Sequence, residues 1–233
     1  GKDSAALLWL VKKAFLGEIP FTVSLLDTGM EFPEVYEFRD DLIRRWNLDY
    51  FNMLCPPEST VDQTLEPAGR AAARKTGGLR ALIAAQGWRG VYLGIRRDEQ
   101  ATRAKERIFS PRTASGTWNF RNQPPEFWNY HQTDISDGEH IRIHPLLLWT
   151  EMDVWKYTKR ENIPFCNLYL ARNGLRFRSL GESNITFPVQ SAATTIDDII
   201  SELAVTSAPE RAGRSMDHES ENAFERLRAG GYM

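Results

Sequence analysis

Residues 21–46, FTVSLLDTGMEFPEVYEFRDDLIRRW, decide the fold class, because they join an apolar run, a polar turn and an amphipathic segment. The apolar run at 21–26 has the length of a buried β-strand. It ends at the Asp-Thr-Gly triplet of 27–29, which is typical of a turn. Residues 33–46 repeat apolar side chains at helical spacing, with charged residues on the opposite face. The stretch therefore predicts a strand–turn–helix unit of an α/β protein.

The same alternation continues on both sides of this unit. Helices are predicted at residues 5–15, 33–46 and 79–85, and after capping boxes that begin at Thr150 and Thr195; strands are predicted at 21–26, 48–54, 91–95 and 141–148. Short, nearly all-apolar strands between helices are typical of a parallel sheet with both faces covered. We therefore predict an α/β fold with a mostly parallel sheet and helices on both faces.

Residues 110–138 differ from the rest of the chain. They are rich in Thr, Ser, Asn, Gln, Pro and aromatic residues and have no clear period. We interpret them as a long ordered or semi-ordered loop that could serve as a lid.

Length and composition exclude several classes of protein. A chain of 233 residues with 42% hydrophobic and 11% aromatic residues can bury a core and is not a disordered protein. The net charge of −2 argues against a dedicated nucleic-acid binder. However, residues 70–112 hold eleven basic and three acidic residues, so this window carries +8 and the remainder −10. We interpret the window as a focused anion pocket rather than a nucleic-acid surface.

The cysteines and the apolar runs bear on the compartment. Cys55 and Cys166 are too few for a disulfide framework or a four-cysteine metal site, and we expect both to be buried in a reducing environment. No apolar run approaches the roughly 18 residues of a membrane span, and no signal peptide is present. We expect a cytoplasmic protein that contacts no membrane, and one whose N-terminal residues are missing because it opens on Gly1.

The residues Gly1, Lys2, Asp3 and Ser4 open directly into a helix. Free N–H groups at a helix N-terminus, together with a lysine and a hydroxyl, form an anion site. It is not a Walker A loop, since Asp3 follows Lys2. An ordinary helix cap is the alternative, and these four residues alone do not separate the two interpretations.

The turn of Asp27, Thr28 and Gly29 stands where a strand ends. In open α/β sheets ligands bind at the carboxyl ends of strands, so Asp27 could accept a hydrogen bond from a ligand. The alternative is a turn that only ends the strand.

The segment 94–107 follows the third apolar strand and is dense in charge. Its basic residues are suited to phosphate or sulfate, and its paired acids could hold Mg²⁺. The candidates are Gly94, Arg96, Arg97, Asp98, Glu99, Arg103, Lys105 and Arg107, with Asp98 and Glu99 as the metal ligands. The alternative is a solvated helix with internal ion pairs, but the place of the segment at a strand end favours anion binding.

Two further arginine pairs stand nearer the C-terminus. Arg176 and Arg178 alternate around Phe177, so both could face one side of an extended segment, or they could belong to an exposed edge strand. Arg211 and Arg214 are best explained as part of a solvated tail. No nucleophile motif is present, so the chemistry indicated is anion binding with catalysis by positioning and charge neutralisation.

Together these motifs resemble the small-subunit family of bacterial ATP sulfurylases, in the PP-loop ATP-pyrophosphatase and phosphoadenosine phosphosulfate (PAPS) reductase-like group. The matching stretches are GKDS at 1–4, DTG at 27–29, RRDE at 96–99, RAKER at 103–107, NQPPEFW at 122–128, RFRSLG at 176–181 and ERAGR at 210–214. The RRDE and RAKER blocks are the most specific. The resemblance implies an adenine nucleotide alpha hydrolase-like fold, with a PP-loop domain at 1–165 and a C-terminal segment at 166–233 that packs near the active site or a partner.

The resemblance also implies an activity: ATP and sulfate form adenosine 5′-phosphosulfate (APS) and pyrophosphate. Residues 1–4 would hold the departing phosphates, and the Asp27 turn would lie near the adenosine. Gly94, Arg176 and Arg178 would assist nucleotide binding, while the 96–107 cations and Asp98 would serve catalysis. Mg²⁺ and a larger GTPase subunit are implied as cofactor and partner, because APS formation is strongly uphill.

Three departures from the family pattern leave alternatives open. Residues 182–188 replace a stretch that commonly contains cysteine, the chain is short between Leu170 and Arg176, and the first strand and half of the PP-loop are absent. The alternatives are an adenylating enzyme with another acceptor, a PAPS reductase-like protein, and a non-catalytic binding subunit. A reductase needs a C-terminal cysteine, which residues 228–233 do not contain.

Overall fold

The computed structural model describes residues 1–100, 103–121, 123–128 and 131–211. Their helices are α1 Lys2–Ala14, α2 Pro33–Trp46, α3 Pro67–Gln86, α4 Glu151–Glu161 and α5 Ile196–Val205. Their strands are β1 Val23–Asp27, β2 Tyr50–Leu54, β3 Gly90–Tyr92, β4 Phe109–Arg112, β5 His140–Ile143, β6 Leu175–Arg176 and β7 Val189–Gln190.

The strands pair mostly in parallel in the α/β part of the chain. β1 and β2 are parallel, with Val23 opposite Tyr50, and β3 is parallel to β5. β4 lies antiparallel on the other side of β5, and β6 and β7 form a short antiparallel pair. The predicted α/β class is confirmed.

Local sequence signals explain the helix ends that were predicted well. α2 begins with Pro33 in its first turn and ends at Asn47, whose φ of 48° is left-handed. α4 and α5 begin at the predicted capping boxes, in which Thr150 and Thr195 accept the N–H of the residue three positions on. These helices needed no tertiary information to be located.

α3 extends twelve residues further toward the N-terminus than the predicted 79–85. Its first part buries alanines and glycines rather than large apolar side chains, so the helical period is hidden. Position 78 requires a residue as small as glycine, because a Cβ on Gly78 would lie 2.9 Å from Cys55 Sγ.

The predicted loop at 110–138 is wrong at its start, where β4 pairs with β5. Arg112 of this strand is buried and lies over the ring of Trp118, with 5.0 Å between the guanidinium carbon and the ring centroid. Ser110 and Arg112 hid the strand, because these polar residues lie opposite Arg142 and His140 of β5 rather than opposite apolar side chains. The lid interpretation of the rest stays a prediction.

Two apolar clusters meet on α4. One face packs on α1 through residues such as Ala6 and Val154, and the other carries the fully buried Trp155. Trp155 packs against Tyr169 and Ile199, so residues beyond 165 share a core with the first part of the chain. None of the described helices is both long and apolar enough to cross a membrane.

Candidate active site

The start of α1 and the segment after β3 approach each other closely. A Cβ on Gly94 would lie 3.1 Å from the backbone carbonyl carbon and oxygen of Asp3. Only glycine allows the two backbones to be this close. The structure therefore brings together the two predicted anion-binding stretches, 1–4 and 94–99.

Arg96 is the centre of this junction. Its Nε donates to Asp3 Oδ1 at 2.6 Å, its Nη1 donates to Asp98 Oδ1 at 2.6 Å, and its Nη2 donates to Glu210. The Arg96 side chain has 0% exposure. Lys2 lies beside it, 3.3 Å from Asp3 Oδ2 and paired with Glu210. Two cations and three carboxylates thus form one network, in which both cations and Glu210 are buried while the Asp98 side chain is 34% exposed.

Charge within this network shifts the pKa values of its members. Burial disfavours the charged form of Asp3, but Lys2 and Arg96 outweigh it and lower the Asp3 pKa to about 2. Burial also opposes the charged form of Lys2, yet Asp3 and Glu210 raise the Lys2 pKa above its ordinary value. Asp3 and Lys2 are therefore both charged at neutral pH.

A second set of contacts links Arg96 to α4 and to the C-terminal residues. Asp98 Oδ2 accepts the backbone N–H of Glu151 at 2.7 Å. Arg178 Nη2 donates to Glu151 Oε2 at 2.8 Å, and Arg178 Nη1 donates to the carbonyl of Ala208 at 2.7 Å. A cavity of about 240 Å³ opens here, lined by Asp98, Thr150, Glu151, Met152, Arg178, Leu203, Thr206, Ala208, Pro209 and Glu210.

The predicted cations of 103–107 differ in their surroundings. Arg103 pairs with Glu99, and Lys105 Nζ lies 4.8 Å from the ring centroid of Phe120. Arg97 Nη2 donates to the carbonyl of Glu106 at 2.7 Å, while its Nε is buried without a partner. The Nε of Arg107 is also buried and unpartnered among the described residues. Arg97 and Arg107 therefore keep donors available for an anion.

Buried polar residues form a layer next to the backbone of Arg107. His144 Nδ1 lies 2.8 Å from the carbonyl oxygen of Arg107. Because a carbonyl oxygen can only accept a hydrogen bond, Nδ1 is the donor. Burial lowers the pKa of His144 to about 4, so its ring is neutral at pH 7. Glu106, next to Arg107, pairs with Arg112 at 2.9 Å. This layer fixes the backbone that carries Arg107.

The basic window of 70–112 is not a free positive patch, contrary to the expectation from its charge. Five of its eleven cations pair with carboxylates of described residues: Arg70 with Glu58, Lys75 with Glu31, Arg96 with Asp3, Arg103 with Glu99, and Arg112 with Glu106. Three of these acids, Glu58, Glu31 and Asp3, lie outside residues 70–112. Part of the net charge of −10 in the rest of the chain therefore neutralises part of the +8 in this window.

The Asp27 turn is built by contacts within the protein. Asp27 accepts from the Gly29 N–H at 2.8 Å, from Tyr36 Oη at 2.7 Å and from Asn52 Nδ2 at 3.1 Å. Burial raises the Asp27 pKa, but these hydrogen bonds outweigh it and lower the value. Arg74 donates to the Thr28 carbonyl at 2.8 Å. These contacts favour the strand-ending turn over a carboxylate free for a ligand.

Arg176 and Arg178 do not act as a pair on one face. Arg176 is buried and donates to Glu202 of α5 at 2.6 Å, which holds α5 in place. Only Arg178 joins the contacts that lead to Arg96. Ser4 is exposed to solvent.

The solvated-tail interpretation is wrong for Arg211. This side chain is buried, with Nη1 3.1 Å from Glu99 Oε1. Glu210, beside it, was missed as a site residue, although ERAGR at 210–214 was among the matching motifs. Its charge is the only signal in the sequence, and that signal does not reveal its partners. Arg214 and Asn122 lie outside the described residues.

The carboxylates proposed for Mg²⁺ do not form a ready site. Asp98 faces Arg96 and the Glu151 N–H, whereas Glu99 faces Arg103 and Arg211. Across the described ranges, no group of three His, Cys, Asp or Glu residues could hold a metal ion. The donors in this arrangement do not fit the cation, and we route no chemical step through it.

Comparison with known proteins identifies the class first. Residues 1–188 match the phosphoadenosine phosphosulfate reductase domain family. A PAPS reductase from Candida auris has the same fold, with a TM-score of 0.52, 15% identity, and coverage of 79% of this chain and 78% of that one. The fold and the matched residues place the chain in this domain class.

More similar relatives identify the family within that class. Sulfate adenylyltransferase subunit 2 of Rhizobium tropici is 36% identical over 268 residues, covering 100% of this chain and 84% of the relative. The protein of the same name from Pseudomonas syringae pv. syringae is 36% identical over 272 residues, covering 100% and 88%. The chain belongs to the sulfate adenylyltransferase subunit 2 family. The predicted family and class of enzyme, a nucleotidyltransferase of sulfate assimilation, are confirmed, and the name makes each relative one subunit of a larger enzyme.

Proposed function

We propose that the site around Arg96 transfers the adenylyl group of ATP to sulfate, forming APS and pyrophosphate. One observation carries the proposal: Arg96 of the RRDE block bonds directly to Asp3 of the GKDS block, although 93 positions separate them. The two stretches most typical of the family thus share one network. The N-terminus of α1 adds a positive helix end at the same place.

Different residues bind the leaving pyrophosphate and the attacking sulfate. Lys2 and the first turn of α1 bind the β- and γ-phosphates, which leave as pyrophosphate. Arg97 and Arg107 bind sulfate, because neither pairs with a described carboxylate and each keeps a buried Nε–H without a partner among the described residues. A sulfate oxygen attacks the α-phosphorus while the bond from that phosphorus to the bridging oxygen of pyrophosphate breaks. The cations stabilise the charge that spreads over the transferred group.

The remaining predicted residues have supporting roles. Gly94 permits the close approach at Asp3, and Arg178 holds Glu151 beside Asp98. The Asp27 turn stands at the end of β1 and shapes the adenosine side through its backbone. Asp98 orients Arg96, and Arg103 and Lys105 add positive charge nearby. Mg²⁺ accompanies ATP bound to its phosphates rather than in a protein cage.

The reaction needs a source of free energy, since APS formation is strongly uphill. The 233 residues contain no Walker A motif, so they do not themselves supply a GTP site of that kind. We therefore assign a larger GTPase subunit as the partner. Both cysteines are free and buried, which agrees with a reducing cytoplasmic setting.

The test is exchange of labelled pyrophosphate into ATP. We expect exchange that requires sulfate, measured with this chain alone and again with a GTPase large subunit added. Sulfate-independent exchange, or exchange that requires a carboxylate or amide acceptor instead, would refute the proposal. Sulfite release from PAPS with thioredoxin would identify a reductase.

Transfer to a different acceptor remains a second candidate because of residues 182–188. This atypical segment lies beside the nucleotide side of the site: the Ser183 N–H donates to the Met30 carbonyl at 2.8 Å, and Glu182 is 3.8 Å from Lys75. Its position allows it to alter what the site accepts. The same exchange assay with a panel of acceptors decides between the two.

A further inference from the structure

Glu210 occupies the place where an anionic ligand would meet Lys2 and Arg96. It accepts from Lys2 Nζ and from Arg96 Nη2 at once. The Glu210 side chain is only 4% exposed, and those of Lys2 and Arg96 are 1% and 0% exposed. A carboxylate held between an ammonium and a guanidinium at a helix N-terminus is in the position of a phosphate oxygen.

With Glu210 in place, the side chains of Lys2 and Arg96 are buried, so a phosphate cannot reach either cation. Arg96 directs Nε, Nη1 and Nη2 at Asp3, Asp98 and Glu210 respectively. The local charge is −1, from Lys2 and Arg96 against three carboxylates. Without Glu210 the same group is neutral, and one face of each cation is free. A polyphosphate therefore requires one carboxylate to leave.

Glu210 is the carboxylate that can leave most easily. Asp3 follows Lys2 within α1, and Asp98 stands two positions from Arg96 and also accepts the Glu151 N–H. Glu210 instead lies on a strap, residues 206–211, which is neither helix nor strand. The strap is held mainly by side chains: Arg178 donates to the carbonyl of Ala208, and Arg211 pairs with Glu99.

The poor solvation of the Glu210 carboxylate also favours its release from Lys2 and Arg96. Burial raises the pKa of Glu210 although Lys2 and Arg96 act against it, which means that its charge is poorly solvated in this position. The cavity of about 240 Å³ beside the strap, bordered by Pro209 and Glu210, gives the carboxylate a route to water. The strap can therefore move without disrupting the core.

We propose that Glu210 is an internal competitor of the nucleotide's phosphates, and that ATP binding displaces the strap from Lys2 and Arg96. The inference rests on the proposed function, because it needs a nucleotide site at the α1 N-terminus. It adds that the strap sets the affinity for ATP: the site is competent only in the fraction of molecules whose strap is released.

The test measures ATP affinity by isothermal titration with the full chain and two variants. E210Q removes the charge at constant size. E161Q is the matched control, since Glu161 also pairs with one lysine and one arginine, Lys13 and Arg160, at the far end of α4. We expect E210Q to bind ATP about tenfold more tightly than the natural chain, and E161Q to be unchanged. Equal or weaker binding by E210Q would overturn the competitor role.

Hydrogen exchange of the natural chain gives a second measurement that needs no variant. ATP should increase the exchange of backbone amides in 206–211; unchanged or slower exchange overturns the proposal even if E210Q does not fold. No ATP binding by any of the three chains would refute the nucleotide site and, with it, the competitor. ATP binding without sulfate-dependent exchange would refute the proposed reaction and leave the strap's role standing.

Discussion

Arg97 and Arg107 are distinguished from their neighbours by what they do not contact. Arg96 and Arg103 have carboxylate partners, whereas Arg97 and Arg107 have none among the described residues. Arg97, Arg103 and Arg107 each keep a buried Nε that no described residue accepts. Buried donors of this kind are costly unless a ligand completes them. This difference makes Arg97 and Arg107 the arginines that we propose for sulfate, within a segment that the sequence presents as uniformly basic.

Replacing Arg97 tests that selection. We expect Arg97→Ala to reduce sulfate-dependent exchange by about 100-fold or more, since it removes a positioned cation from the transition state. Arg44→Ala, at a side chain 77% exposed on α2, is the control and should leave the rate unchanged. A natural rate in Arg97→Ala would contradict the assignment.

Gly94 fixes how closely the two anion-binding stretches approach. Gly94→Ala should destabilise the protein by about 1–3 kcal/mol, because its Cβ meets backbone atoms that cannot move independently. The measurement is the free energy of unfolding in urea. Gly77→Ala is the matched control: its Cβ would lie 3.4 Å from Pro56 Cγ, an ordinary contact, and helix interiors favour alanine. Equal changes in the free energy of unfolding for the two substitutions would show that the close approach at Asp3 does not make Gly94 necessary for stability.

At the scale of elements, β4 and β5 form a charged layer behind the site. His140 lies on β5 and His144 follows it, and both are buried together with Arg112 and Arg142. Burial lowers the pKa of both histidines to about 4. The sheet therefore holds two neutral imidazoles that the unfolded chain would protonate near pH 6.5.

This layer makes stability dependent on pH. Between about pH 6.5 and 4 the unfolded chain binds protons that the folded chain does not, so the free energy of unfolding decreases as the pH falls. We expect a loss of about 1–2 kcal/mol per histidine from pH 7 to pH 5, measured by urea denaturation at both values. His144→Gln should reduce this difference, and an unchanged difference would show that His144 does not hold its neutral form.

At the scale of the whole molecule, α4 connects the two parts of the chain. It packs on α1 through Val154 and on the C-terminal part through Trp155, and its first N–H is accepted by Asp98. The boundary predicted at residue 165 thus falls inside a shared core. The segment beyond it also brings Glu210 into contact with Lys2 and Arg96.

Truncation tests this dependence. A chain ending at residue 165 would expose Trp155 and lose Tyr169, whose Oη accepts the Lys2 N–H at 2.9 Å. Removing the partners of a buried aromatic costs about 3–5 kcal/mol, a large fraction of a domain's stability. We expect no cooperative thermal transition by circular dichroism. A chain ending after Arg211 keeps these contacts and should unfold cooperatively; cooperative unfolding of both would show that 1–165 folds independently.

Local patterns in the sequence were sufficient for the class of fold and for several elements. The bounds of α2 and the starts of α4 and α5 follow from apolar period, proline and capping residues, which act within a few positions of one another. The family was also recognisable, because RRDE and RAKER are contiguous. α3 and β4 were misjudged because their partners, Cys55 and β5, decide which side chains they need.

The sequence by itself determined an α/β chain of the sulfate adenylyltransferase subunit 2 family, and it predicts anion-binding stretches at 1–4 and 94–107. Only the tertiary structure decided which of those cations are neutralised: Arg96 finds Asp3 across 93 positions, and Lys2 finds Glu210 across 208. The reason is physical. A periodic or capping signal depends on neighbours along the chain, whereas the state of a buried charge depends on whichever groups the fold places within a few ångströms of it.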